Sequence, residues 1–164
     1  MSQNPVNENL SIDPLKIPGP ALWLGLAGLI PFFATAATLW LGETINQFDA
    51  TTALVAYAAV ILSFLGGINW GAAIINNNAT QLTKPLFWSI VPSLAAWAAL
   101  LLQSLFSEAV ALFILLVAFV LQYLSDRRAV ALGRFPPWFA RLRLILTCGA
   151  VLSLAIGLVG VTLS

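Results

Sequence analysis

The chain contains no histidine, a single cysteine and a single methionine. Only 8% of it is charged, against about 25% in an ordinary soluble domain. Each shortage excludes something. Without histidine, the commonest metal ligand and the usual general base near neutral pH are gone. One thiol, Cys148, cannot close an internal disulfide, so cysteine usage leaves the redox compartment open. So few charges cannot cover a water-facing surface. Paired carboxylates, a glycine-rich phosphate loop and a nucleophile motif are also missing. No acid or base lies in the middle of a long apolar run, where an ionisable group would mark a proton or ion path. Ser63 or Ser93 as a nucleophile would lack an evident base. The expectation is a protein that is not an enzyme, with no cofactor, no metal and no nucleic-acid partner.

What is present is apolar. The chain is 60% hydrophobic, and its mean hydropathy is +0.96. Five runs read as membrane spans: Pro20 to Leu41, Ala53 to Ile75, Leu86 to Leu105, Ala109 to Tyr123 and Leu142 to Leu163. A spanning helix needs about 20 apolar residues. The fourth run falls short and would have to thin the bilayer or recruit its flanks. The runs are continuous rather than alternating, which selects helices over a barrel. The fold class is therefore an all-α membrane protein of five transmembrane helices. Short connections predict that sequential helices lie antiparallel. Residues 1–19 form a polar tail, expected to be disordered, and 20–164 one five-helix domain. Ala34-Thr35-Ala36 resembles a signal cleavage site. The region before it is too long and not basic, so an uncleaved helix is expected.

Charge sign sets an orientation. Lys16 precedes the first run, Lys84 lies between the second and third, and all five Arg lie between the fourth and fifth. The alternate loops carry Glu43, Asp49 and Glu108 but no base. The positive-inside rule then puts the N-terminus in the cytoplasm and the C-terminus outside. No organelle-targeting segment is visible, so the expected location is a bacterial inner membrane. Tryptophans fit an interfacial belt: Trp23, Trp70, Trp88 and Trp138 near inner ends and Trp40 near an outer end, with Trp97 deeper. Pro20, Pro85 and Pro137 open the odd-numbered spans, where a missing amide hydrogen costs nothing.

The second run is the densest in information. Ala59, Ser63, Gly67 and Gly71 recur every four residues and share a helix face. Gly149, Ser153 and Gly157 form a matching stripe in the fifth run. Small residues let helices approach closely in lipid, so both stripes read as packing seams, with each other as a candidate partner. The sharper reading is a polar site. Gly66 and Gly67 can loosen the helix, and Asn69 offers donor and acceptor groups beside Tyr57 and Trp70. Pro31 and Pro92 should kink their spans, with Thr35 and Ser89 near enough to re-satisfy freed carbonyls.

The stretch Asp126 to Arg143 reads as a basic loop. Arg127, Arg128, Arg134, Arg141 and Arg143 face only Asp126. Each base near an anionic leaflet contributes about 1 kcal/mol. The plain reading is a topology determinant that snorkels to phosphates. The sharper one is a headgroup or partner-protein site, with Asp126 orienting an Arg whose planar fork grips an anion.

Tyr57 together with Ile61-Leu-Ser63-Phe-Leu-Gly66-Gly67-x-Asn69-Trp70-Gly71 resembles the signature of a family of small multi-pass membrane proteins of unknown function, found in bacteria and mitochondria. Pro92-Ser93-Leu-x-x-Trp97 is similar to a second block, and Trp138-Phe139-x-x-Leu142-Arg143-x-x-Leu146-Thr147 to a third. The resemblance implies an integral membrane location and supplies no activity.

Two functions fit these features. The first is a non-catalytic structural, assembly or accessory protein that meets anionic headgroups and a membrane-protein partner or a second copy of itself. The alternative is a small carrier or channel for a neutral solute. A cavity lined by Tyr57, Ser63, Asn69 and Ser93 would favour the carrier, and a solid core with an exposed small-residue groove would favour the scaffold.

Overall fold

The computed structural model describes residues 13–41, 49–76 and 81–163. Most of the polar tail, including Glu8, and the loop carrying Glu43 lie outside the described residues. The described residues form helices α1 (Gly19–Ala27), α2 (Ile30–Leu41), α3 (Ala50–Asn76), α4 (Thr83–Leu105), α5 (Glu108–Ala131) and α6 (Pro137–Leu163). Helices α1 and α2 make one span. Five spans among the described residues are long and apolar enough to cross a membrane.

The first span is broken at Gly28-Leu29 rather than gently bent. Pro31 explains the position, because its ring clashes with the carbonyl four residues earlier, that of Ala27. The Tyr57 hydroxyl on α3 donates to the Gly28 carbonyl at 2.8 Å, so α3 anchors the break. Thr35 and Ser89 do not serve the freed carbonyls as expected. Thr35 bonds back to Pro31 and Phe32 carbonyls, and Ser89 to that of Leu86.

The fourth span is a correction. Helix α5 runs to Ala131 and needs no thinned bilayer. The fifth helix starts at Pro137, ahead of the expected Leu142. The expected long basic loop is thus mostly helix, and only 132–136 connects the two. Hydropathy discounts Asp126 and Arg143 because each is charged. Paired in the bundle, they no longer oppose a continuous helix. Gly133, at φ +72°, ends α5. The Arg134 amide reaches the Ala129 carbonyl and the Gly133 amide that of Val130, the double closure of a Schellman turn. At the other end Ser107 caps α5 by accepting from the Val110 amide.

Helix α3 is the centre and packs on α2, α4, α5 and α6. Helices α3 and α4 are antiparallel, as the pairings of Thr52 with Gln103 and of Gly66 with Pro92 show, and so are α5 and α6, where Asp126 meets Arg143 and Leu112 meets Gly157. The first and fifth spans run parallel, with Gly25 against Leu146, Gly149 against Leu29 and Ser153 against Phe32. The core is filled by Phe32, Leu54, Leu62, Leu112, Leu115, Phe119 and Leu154, all almost fully buried. In lipid no hydrophobic force drives helices together, so this interdigitation and the inter-helix hydrogen bonds hold the bundle.

The two small-residue stripes do not meet. A side chain on Gly67 or Gly71 would touch nothing within 4 Å. Those two glycines face outward, so they form no seam with α6 inside this bundle. The fifth-helix stripe does pack, but against the first span and Leu54. A Cβ on Gly149 would lie 2.6 Å from Leu29, and one on Gly157 2.6 Å from Leu54. Gly66 is the tight position of α3, where a Cβ would sit 2.6 Å from the Ser89 carbonyl beside Pro92.

Candidate functional site

Every described basic residue lies at or near one end of the bundle, where α1, α4 and α6 begin and α3 and α5 end. Inside that end is a polar cluster. Asp126, one turn before the end of α5, is 2% exposed. Its Oδ2 accepts from Arg143 Nε at 2.7 Å. Its Oδ1 accepts from Asn69 Nδ2 at 3.0 Å and from Gln122 Nε2 at 2.9 Å. Three helices thus converge on one carboxylate. Gln122 is placed for this by sequence alone, since residues four apart on a helix are neighbours. Helices α3 and α6 bring Asn69 and Arg143 from opposite sides. Asn69 also donates to the Leu65 carbonyl, which fixes its amide.

The chemistry of this cluster is structural. A charge-assisted bond to Arg is short and strong in a water-poor interior. The charges cancel, and three donors meet one carboxylate. Removing either partner would strand a buried charge, at about 3–5 kcal/mol. Asp126 and Arg143, read as part of an exposed headgroup or partner contact, are instead buried in the bundle, with Asp126 orienting Arg143. They face inward, and the remaining bases carry the surface charge. Asn69, read as a possible solute ligand, is likewise committed to Asp126.

Beside the cluster lies a groove of about 790 Å³ between α3, α4 and α5. Lys84, Arg128 and Arg134 line it at the basic end, and Trp88, Pro92, Ala95 and Ala118 give it apolar walls. Asn69, Ser89, Gln122 and Ser125 line the wall between. Pro92, which packs beside Gly66 of α3, lines it towards the middle of α4. From Lys84 to Ala95 the groove follows α4 for about 16 Å at 1.5 Å per residue, roughly half the helix. Above it the core closes, with Leu62, Ala99, Leu112 and Leu115 at 0% exposure.

The predicted residues therefore divide. Asn69, Asp126 and Arg143 meet in the cluster. Arg128 and Arg134 line the groove, while Arg127 and Arg141 are exposed elsewhere on the same end. Tyr57 holds the break in the first span. Ser63 and Ser93 are half-buried and Trp70 exposed, and none of the three lines the groove. Gly66, Gly149, Ser153 and Gly157 are packing positions.

A family model for proteins of unknown function, DUF3429, matches residues 17–159. The chain belongs to this family. It is 45% identical over 142 residues to Transmembrane protein 69 of Xenopus tropicalis, an alignment covering 84% of this chain and 53% of the relative. It is 34% identical over 149 residues to Transmembrane protein 69 of Mus musculus, covering 88% of this chain and 58% of that one. The chain thus spans a little over half the length of the relatives it matches. No solved structure matches it. As a DUF3429 protein with five apolar spans, it is a multi-pass membrane protein.

All four cluster residues lie inside the DUF3429 match. Sequence reasoning missed Gln122, Lys84 and Trp88 as parts of one site. Gln122 had a signal, an amide in an otherwise apolar run one turn before a carboxylate. Lys84 had none, because its proximity to Arg128 comes from α4 and α5 lying side by side.

Proposed function

We propose that this protein is a non-catalytic scaffold or accessory subunit of a bacterial inner membrane, its basic end in the cytoplasm. The observation that carries this reading is the core that closes above the groove, where Leu62, Ala99, Leu112 and Leu115 are fully buried. The groove ends half-way along α4, and the buried ionic groups neutralise each other rather than line a path. The exterior suits association. Trp23, Leu24, Phe64, Trp97 and Leu105 are more than 60% exposed, a fully lipophilic surface. The groove supplies a polar docking point, with three cations around an apolar slot. It fits an anionic headgroup with part of its chain, or an acidic apolar segment of a membrane-protein partner. Orientation rests on the positive-inside rule. Replacing Arg127, Arg128, Arg134 and Arg141 with Gln, and sparing Arg143, should give mixed or inverted insertion by cysteine accessibility. Unchanged insertion rejects that orienting role.

The alternative, a carrier for a neutral solute, has one feature in its favour. The groove reaches Asn69 and Pro92, a residue that removes a backbone hydrogen bond from α4. Native mass spectrometry of the tagged chain, extracted from its own membrane with lipid retained, separates the two. A stoichiometric protein partner is expected. A bare chain that also gives saturable solute flux in vesicles would overturn the scaffold reading.

A further inference from the structure

On the far side of the Asp126 cluster from the groove, a second cavity of about 140 Å³ lies between the break in the first span and one face of α6. Its walls are almost wholly apolar, with Leu29, Phe32, Leu65 and Phe119 among them. Two polar side chains of α6 also line it, Arg143 and Thr147. Both are more than nine-tenths buried. Arg143 Nη2 and Thr147 Oγ1 have no hydrogen-bond partner among the described residues. They stand four residues apart, one helical turn, so their side chains are neighbours on the cavity face. Two adjacent orphan groups in an otherwise well-satisfied core demand an explanation, since buried polar groups are nearly always paired.

The chemistry of the wall selects the ligand. The Arg143 charge is already met by Asp126, whose Oδ2 holds Nε at 2.7 Å. A second anion would leave net negative charge against an apolar wall, so the ligand is neutral. Arg143 offers only donors, and the Thr147 hydroxyl can add another. An oxygen acceptor is therefore required. Leu24 and Phe64, which also line the cavity, are 75% and 63% exposed on the outer face, so its open side faces the lipid. The volume admits a carbonyl-bearing head and leaves a longer tail in the bilayer.

We propose that this cavity binds the carbonyl oxygen of a neutral apolar molecule entering sideways from the bilayer, with Arg143 Nη2 and Thr147 Oγ1 as its donors. Two molecules share that chemistry, a tailed quinone and a neutral glyceride ester. The site is separate from the groove and does not depend on the scaffold reading.

The test uses the full chain in nanodiscs of diether phosphatidylcholine, a lipid without ester carbonyls. One arm adds a decyl-tailed benzoquinone and the other dioleoylglycerol, each labelled with 13C at the carbonyl. Binding is read by titration and by the infrared shift of the labelled carbonyl. Saturable 1:1 binding of either probe, with its stretch moved to lower frequency, is expected and identifies the source. Thr147→Val keeps the shape and removes the hydroxyl, and should weaken binding about 3- to 10-fold, the loss of one net hydrogen bond. Thr147→Ser should restore it, which excludes a folding defect. If neither probe saturates, the cavity holds only water and the proposal falls. It falls equally if Thr147→Val binds as tightly as the native chain.

Discussion

The two ends of the bundle are held by different physics. At the basic end, α3, α5 and α6 converge on the Asp126 carboxylate, and charge pairing sets the register. At the opposite end Leu54, Leu112 and Leu154 interlock at 0% exposure, and Gly157 makes room for Leu54. Polar contacts there are single bonds at the rim, such as Gln103 to Thr52 at 2.6 Å and Trp40 to the Ile156 carbonyl at 3.3 Å. The contrast shows what a bilayer demands of a chain whose bases gather at one end. Bases on the surface can reach headgroups. A base drawn inside, as Arg143 is, must bring its own counter-charge. The apolar end carries no such obligation and is free to be specified by shape.

The sharpest way to break this contrast is at Asp126. Asp126→Ala should cost about 3–5 kcal/mol, because Arg143 is left charged and unpaired. Combining it with Arg143→Met should recover most of that loss. Reversible unfolding in detergent, run as a double-mutant cycle, measures both. A single-mutant loss below about 1 kcal/mol would mean that the cluster does not hold this end. At the far end Leu154→Ala should cost about 2–5 kcal/mol through the cavity it leaves. No charge change should rescue it, which distinguishes shape from pairing.

Glycines test where helices truly touch. Gly66→Ala forces a methyl against the Ser89 carbonyl, a backbone atom that cannot swing away, and should cost about 1–3 kcal/mol. A smaller effect is expected at Asp49, which caps α3 through the Thr52 amide and hydroxyl. The Thr52 hydroxyl, with backbone amides behind it, holds the Asp49 carboxyl below its ordinary pKa despite some desolvation. Its contribution is thus complete above about pH 4 and drains away as pH falls through the lowered value. Asp49→Ala should cost about 1 kcal/mol at neutral pH, and the difference from the native chain should shrink in acid. Unfolding midpoints measured from pH 7 to 3 would check that sign. The least effect belongs to Gly67→Ala, within about 0.5 kcal/mol, because that face is open. A loss comparable to that of Gly66→Ala would return Gly67 to a packing seam, between copies or with a partner.

The sequence by itself determined the class of protein, the number of spans and the gathering of bases at one end. These follow from local quantities. Apolar run length measures the cost of burying backbone in lipid, and Lys and Arg positions register loop by loop. The break near Pro31 was also legible, because a proline acts on its own helix. Contacts between helices were not. Nothing local distinguishes Gly66, pressed against a carbonyl, from Gly67, which faces outward. Nor does composition separate Arg143 from Arg141, two residues away, although one is buried on Asp126 and the other exposed. A helix turns about 100° per residue, so adjacent positions meet different neighbours. Which neighbour each meets is fixed only when all five spans pack together. That packing made two charges, read in sequence as part of a surface loop, into the internal clasp of the bundle.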